Sequence, residues 1–214
     1  MGSKNNGYFR NMEKYLVAPK TYRYVISGAE HAAEVLLALH GYGQLAKYFI
    51  RKFHFLEDTY YLLAPEGPHR FYLSGSNGRV GASWMTKEAR ELDIEDNLRW
   101  LNIFLEQNIQ EQPATKRTLL GFSQGAATAA RWYQKNPECF DQLILWAGVF
   151  PPDIEAGTFP TTKPLHFVLG DEDEFYHGAE AEAIKQRYAT LGFQVHTYPG
   201  KHDLDAAVLK RILG

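Results

Sequence analysis

Cysteine is nearly absent from this chain: Cys139 stands alone among the residues of the sequence, so no internal disulfide can staple the fold. Charge of one sign is missing as well. With 23 basic and 25 acidic residues the net charge is −2, and the basic residues are scattered, unlike the footprint of a nucleic-acid binder. No apolar run reaches the roughly 18 residues of a membrane span, and the first 30 residues hold no signal-peptide core. Histidines are present, but His31, His54, His69 and His177 have no metal-ligand spacing, and no Cys/His cluster occurs. These absences lead to a soluble, cytoplasmic protein with no metal, cofactor, nucleic-acid partner or membrane span as the expectation. There is no internal repeat and no low-complexity tract.

What the chain does have is enough apolar matter for one core. At 214 residues with 45% hydrophobic content, a single domain is expected over residues 16–214, behind a polar arm at residues 1–15.

The domain is organised around Gly121-Phe122-Ser123-Gln124-Gly125, a G-x-S-x-G pentapeptide between an apolar run and an alanine-rich run. Arg117–Leu120 reads as a strand, and Ala126, Ala127, Ala129, Ala130 and Trp132 as a helix ending at Asn136-Pro137. Strand, tight turn and helix form the context in which such a serine becomes a nucleophile. The glycines allow main chains to approach closely, and the helix start directs the Gln124 N–H toward charge developing on an attacked carbonyl.

Around this element, buried strands alternate with amphipathic helices. Tyr22–Ile26 reads as an edge strand, Glu34–Leu39 and Tyr60–Ala64 as strands buried on both faces, and Leu45, Phe49, Phe53 and Leu56 as a helical stripe between them. Residues 65–90 read as a long glycine-punctuated loop. Ile94, Leu98, Leu101, Leu105 and Ile109 mark a long helix. Leu143–Trp146, Leu165–Leu169 and Phe193–Tyr198 read as further strands, with helices at Ala181–Leu191 and Leu204–Ile212. The pattern predicts a single-domain α/β fold, a mainly parallel sheet covered by helices on both faces and without a large cap domain.

Ligands of such sheets bind beyond the carboxyl ends of the strands. There stand His40-Gly41-Tyr42-Gly43, then Asp153, then Gly170-Asp171-Glu172-Asp173-Glu174, then Gly200-Lys201-His202-Asp203. The tetrad makes the Tyr42 N–H a second candidate oxyanion donor, with His40 shaping that loop rather than acting as a base. A serine hydroxyl needs a base, and the base needs a carboxylate to fix its tautomer. His202 meets the first need, although it could also be a solvated residue beside Asp203, itself a good N-cap. For the carboxylate, Asp171 and Asp173 compete, with Glu172, Glu174 and Asp153 behind them, and spacing alone does not choose. His166 and His196 lie within strands and read as hydrogen-bonded packing residues.

The combination of His40-Gly41-Tyr42-Gly43, GFSQG at 121–125, Gly170-Asp171-Glu172-Asp173 and a histidine before the last helix resembles the phospholipase/carboxylesterase family, which includes the acyl-protein thioesterases. The resemblance covers the chain from about residue 32 onward. It implies an α/β-hydrolase with Ser123 as nucleophile, His202 as base, and Asp173, three residues after its glycine, as the acid, leaving Asp171 to stabilise the turn. It also implies oxyanion donors at the backbones of Tyr42 and Gln124, and it matches Trp84 to a tryptophan before the long helix. The chain departs from the family at Gln44, where many members carry an acid, at Ala126, where many carry glycine, and in the loop Glu66–Ser83.

The expected activity is hydrolysis of small carboxylic esters by two-step acyl transfer, in an open cleft lined by Tyr42, Trp84, Trp146, Phe150, Phe175 and Tyr176. Aromatics are also the usual material of cores, an even alternative for Trp146. Two rivals accompany this reading. An acyl-protein thioesterase or lysophospholipase would keep the chemistry and change the substrate. A catalytically silent, ligand-binding hydrolase fold is opposed by the complete Ser, Asp, His set.

Overall fold

Continuous apolar runs become the inner strands of one sheet. In the computed structural model, which describes residues 12–109 and 114–214, the chain enters through β1 (Tyr24–Gly28) and β2 (Glu34–Leu39). One turn of helix, α1 (Ala46–Phe49), tightens into a 3-10 stretch over Ile50–Leu56 before β3 (Tyr60–Pro65). A small pair, β4 (His69–Tyr72) and β5 (Val80–Ser83), precedes the long helix α2 (Arg90–Asn108). Then come β6 (Lys116–Phe122), α3 (Gln124–Lys135), β7 (Gln142–Trp146), β8 (Leu165–Gly170), α4 (Gly178–Thr190), β9 (Gln194–Tyr198) and α5 (Ala206–Leu213).

The seven-stranded sheet has the order β1-β3-β2-β6-β7-β8-β9. Only β1 runs antiparallel to its neighbour; every other adjacent pair is parallel. Successive strand residues face opposite sides of a sheet, and Leu36, Leu37, Leu39, Leu62, Leu63, Leu119, Leu120 and Leu143–Trp146 are all buried, so both faces are covered. Each such leucine contributes about 1.5–3 kcal/mol of burial free energy, which is why these runs read so plainly. The result is an α/β-hydrolase fold in a single domain. Among the described residues, no helix is long and apolar enough to cross a membrane.

Several boundaries differ from the sequence reading. The edge strand starts at Tyr24 rather than Tyr22, because the Tyr22 ring leaves the sheet to stack on Trp100 at 4.6 Å. The expected loop over residues 65–90 contains the antiparallel β4–β5 hairpin, four residues per strand, closed at its tip by Leu73 N–H donating to Arg79 C=O at 2.8 Å. Such short, glycine-flanked strands carry too little alternation to be recognised. The N-cap of α5 is Asp205, whose Oδ1 accepts from Val208 N–H at 2.8 Å, and not Asp203, whose carboxylate pairs with Lys52 at 2.6 Å. Of the expected N-terminal arm, residues 1–11 lie outside the described residues.

Candidate active site

Ser123 sits where β6 turns into α3, at φ 54° and ψ −117°, a conformation that strains any residue with a Cβ. The surroundings hold it there. Ser123 N–H donates to Trp146 C=O at 2.8 Å, and Ala126 N–H donates to Ser123 C=O at 3.0 Å. Glycine is required on the helix side because a Cβ at 125 would lie 2.3 Å from Leu39 O and 2.5 Å from His40 O. Ala126, where the family often has glycine, is accommodated by Gly148: a Cβ there would lie 2.5 Å from the Ala126 methyl.

A hydrogen-bonded chain runs from this serine into the protein. His202 Nε2 lies 3.0 Å from Ser123 Oγ, and His202 Nδ1 lies 2.7 Å from Asp173 Oδ2. The Asp173 carboxylate is fully enclosed, and its other oxygen accepts from the N–H groups of Phe175 at 2.9 Å and Tyr176 at 3.3 Å. A carboxylate so held accepts the imidazole N–H at Nδ1 and leaves Nε2 as the acceptor facing the serine.

Two strand-end loops carry the aspartate and the histidine, and main-chain bonds lace them together. Asp171 N–H donates to Tyr198 C=O, and Glu172 N–H to Gly200 C=O, both at 2.9 Å. Their contact is so close that a Cβ at Gly170 would fall 2.2 Å from Gly200 O. Tyr198 secures the histidine loop from below, its hydroxyl donating toward the Lys201 and Asp203 carbonyls while Trp146 Nε1 approaches it at 3.4 Å.

His40 is wholly buried, and that burial lowers its basicity. Gly67 N–H donates to its Nε2 at 2.9 Å, so the ring proton is on Nδ1, which donates to Gly41 C=O at 2.8 Å. Gln44 N–H reaches the same carbonyl at 3.2 Å, and Gln44 Oε1 accepts from Gly41 N–H at 3.0 Å. Fixing the Gly41 carbonyl fixes the opposite end of the same trans peptide, the Tyr42 N–H. Among the described residues, neither the Tyr42 N–H nor the Gln124 N–H donates to a protein group.

The other acid candidates are placed elsewhere. Asp153 is gripped by Arg131, Nε to Oδ2 at 2.7 Å and a terminal nitrogen to Oδ1 at 2.5 Å, with Arg90 at 3.0 Å. Those guanidinium groups hold its carboxyl well below the usual range. Glu174 accepts from His202 N–H at 3.1 Å through its side chain, and Glu172 is exposed. Asp171 is exposed, and among the described residues its carboxylate has no hydrogen-bond partner; bonding the loop N–H groups, the task expected of Asp171, falls to Asp173 itself.

The expected cleft is corrected at three positions. Trp84 and Trp146 are completely buried and Phe150 is 1% exposed, so none presents a surface to a ligand. Trp84 stacks parallel to Trp100 and donates through Nε1 to His40 C=O at 2.8 Å, and Phe150 packs edge-on against Phe159 and Tyr188. Tyr42 and Phe175 are exposed, Tyr176 is half-buried, and the Phe175 ring stands edge-on to His202 at 4.6 Å.

One contact has no signature in the sequence. The Gln124 side chain reaches 39 residues upstream to donate to Met85 C=O at 2.7 Å, while its oxygen accepts from Trp84 N–H at 2.9 Å. This amide clamps the segment after β5 to the start of α3.

The sequence model of the phospholipase/carboxylesterase family matches residues 20–213. The chain belongs to that family, a family of hydrolases. Among curated proteins none matches it. Solved structures share its fold at low identity. Esterase PE8 superposes with a TM-score of 0.70 at 22% identity, over 90% of this chain and 96% of that one. The Bacillus cereus carboxylesterase gives 0.65 at 18%, over 89% and 91%. Zea mays acyl-protein thioesterase 2 gives 0.64 at 16%, over 89% and 95%.

Proposed function

We propose that this family member hydrolyses small carboxylic esters through an acyl-enzyme on Ser123. The carrying observation is the strained serine with His202 Nε2 at 3.0 Å and the enclosed Asp173 carboxylate behind it. As the serine oxygen attacks the ester carbonyl carbon, His202 Nε2 takes its proton, and Asp173 stabilises the resulting imidazolium. The carbonyl π pair moves onto oxygen, where the N–H groups of Tyr42 and Gln124 receive it. Collapse of this intermediate breaks the bond to the alcohol, which leaves with the proton from His202. Water, deprotonated by the same histidine, then releases the acid and restores the serine.

Small esters are the substrate this reading takes, and of the six aromatics expected to line the cleft only Tyr42, Phe175 and Tyr176 are left to meet the acyl group, the other three being core residues. The named neighbours include a carboxylesterase and an acyl-protein thioesterase, and thioesters would pass through the same acyl-enzyme.

Stopped-flow hydrolysis of p-nitrophenyl butyrate and p-nitrophenyl palmitate tests the reading. It expects turnover with the short ester preferred, lost in both Ser123→Ala and His202→Gln. Undiminished turnover in either variant would refute the mechanism, and a preference for palmitate would move the substrate to the thioesterase or lysophospholipase class.

A further inference from the structure

A cavity of about 680 Å³ opens beside the proposed oxyanion loop, within the size range of about 300–1,000 Å³ common to small-molecule sites. Gly43 and Gln44 form one wall, and Leu73 and Arg79 of the β4–β5 hairpin form another. The first turns after β2 supply the third, with Lys47 and Lys52. Two of its lining residues connect it to neighbours of the proposed catalytic groups. Gly43 adjoins Tyr42, and the Lys52 ammonium is 2.6 Å from the carboxylate of Asp203, the residue after His202.

The lining is chemically one-sided. It includes Lys47, Lys52 and Arg79 and no aspartate or glutamate, in a chain whose acids outnumber its basic residues 25 to 23. Asp203 neutralises Lys52 from outside that lining. Lys47 and Arg79 have no carboxylate partner among the described residues; the Lys47 ammonium lies 4.8 Å from the ring centroid of exposed Tyr48, and the Arg51 guanidinium lies 5.2 Å from the same centroid. Two basic residues without a carboxylate partner therefore line a concave space next to the proposed oxyanion loop. A hairpin loop that merely needed solubility would be served as well by carboxylates.

We infer that this cavity is a subsite for an anionic group, carboxylate or phosphate, carried by the ester substrate. The inference rests on the esterase reading above. Charge attraction there orients the substrate and concentrates it, so it acts chiefly on KM, and added salt weakens it.

The test compares wild type with the double variant Lys47→Gln/Arg79→Gln, neither residue belonging to the proposed machinery. On the acyl side, p-nitrophenyl hexanoate is set against mono-p-nitrophenyl adipate. On the alcohol side, methyl hexanoate is set against the glycolate and 2-phosphoethanol esters of hexanoic acid, followed by acid release. The inference expects at least one anionic ester to lose about fivefold or more in kcat/KM in the variant, mainly through KM, while the neutral esters stay within about twofold. Which anionic arm responds identifies carboxylate or phosphate and its side of the ester. Equal changes on neutral and anionic esters, or no change on any, would overturn the subsite and leave the esterase standing. No turnover of any ester by wild type, together with an unreactive Ser123, would overturn the esterase reading and the subsite with it.

Discussion

His202 Nδ1 and Asp173 Oδ2 are 2.7 Å apart although 29 residues separate them, and Asp171, only two residues nearer the strand, faces solvent. Asp173→Asn should therefore lower kcat/KM by about 10⁴, through loss of charge and of the productive tautomer. Asp171→Asn should leave both activity and the urea midpoint close to wild type. Side-by-side kinetics and urea titrations decide this. Greater catalytic damage in Asp171→Asn would reverse the choice of acid.

The Gln124 side chain bridges Trp84 N–H at 2.9 Å and Met85 C=O at 2.7 Å, a task separate from the oxyanion contact proposed for its backbone N–H. Gln124→Ala should cost about 1–3 kcal/mol of stability by leaving the Trp84 N–H without its partner, Met85 C=O keeping the Ser83 hydroxyl at 2.8 Å. Because the amide fixes the start of α3, kcat should fall more than KM rises. Urea unfolding and steady-state kinetics together check both parts.

Gly125→Ala should be among the most damaging single substitutions. Its methyl would meet backbone oxygens at 2.3 and 2.5 Å, and backbone cannot swing aside as a side-chain end can. A loss of about 3 kcal/mol or more, or failure to accumulate as folded protein, is expected in thermal and urea unfolding.

Reading these residues from the sequence succeeds where local chemistry is self-announcing. The buried strands were legible because β2, β3, β7 and β8 are apolar apart from Glu34, Gln142 and His166, and the turn at Ser123 because strand, glycines and alanine-rich helix all agree. Burial of Trp84 and Trp146 was not legible, since an aromatic at a strand end or in a glycine-rich loop suits a cleft wall and a core equally. Choosing between Asp171 and Asp173 depended on how the loop turns, and that is set by main-chain bonds to the histidine loop 27 and 28 residues away, which no local pattern encodes.

Acid should destabilise the fold in a window set by buried histidines. Burial, then His196 and Lys116, push His166 down to about 4, and burial lowers His40. Unfolded histidine titrates near about 6.5, so below that pH the unfolded chain binds protons that the folded chain excludes. Stability is full above about 6.5 and declines as pH falls toward about 4. Urea midpoints measured across this range should fall, and His166→Gln, which removes one such group, should flatten the decline. An unchanged slope in that variant would show that His166 does not contribute.

The most direct measurement is mass spectrometry after treatment with a fluorophosphonate, whose phosphorus is attacked by an activated serine with loss of fluoride. The account predicts one stoichiometric adduct on wild type, mapped by proteolysis to the peptide bearing Ser123, and none on a folded Ser123→Ala. Labelling at another residue, or a wild-type protein that remains unmodified while folded, would contradict the central claim that Ser123 is an activated nucleophile.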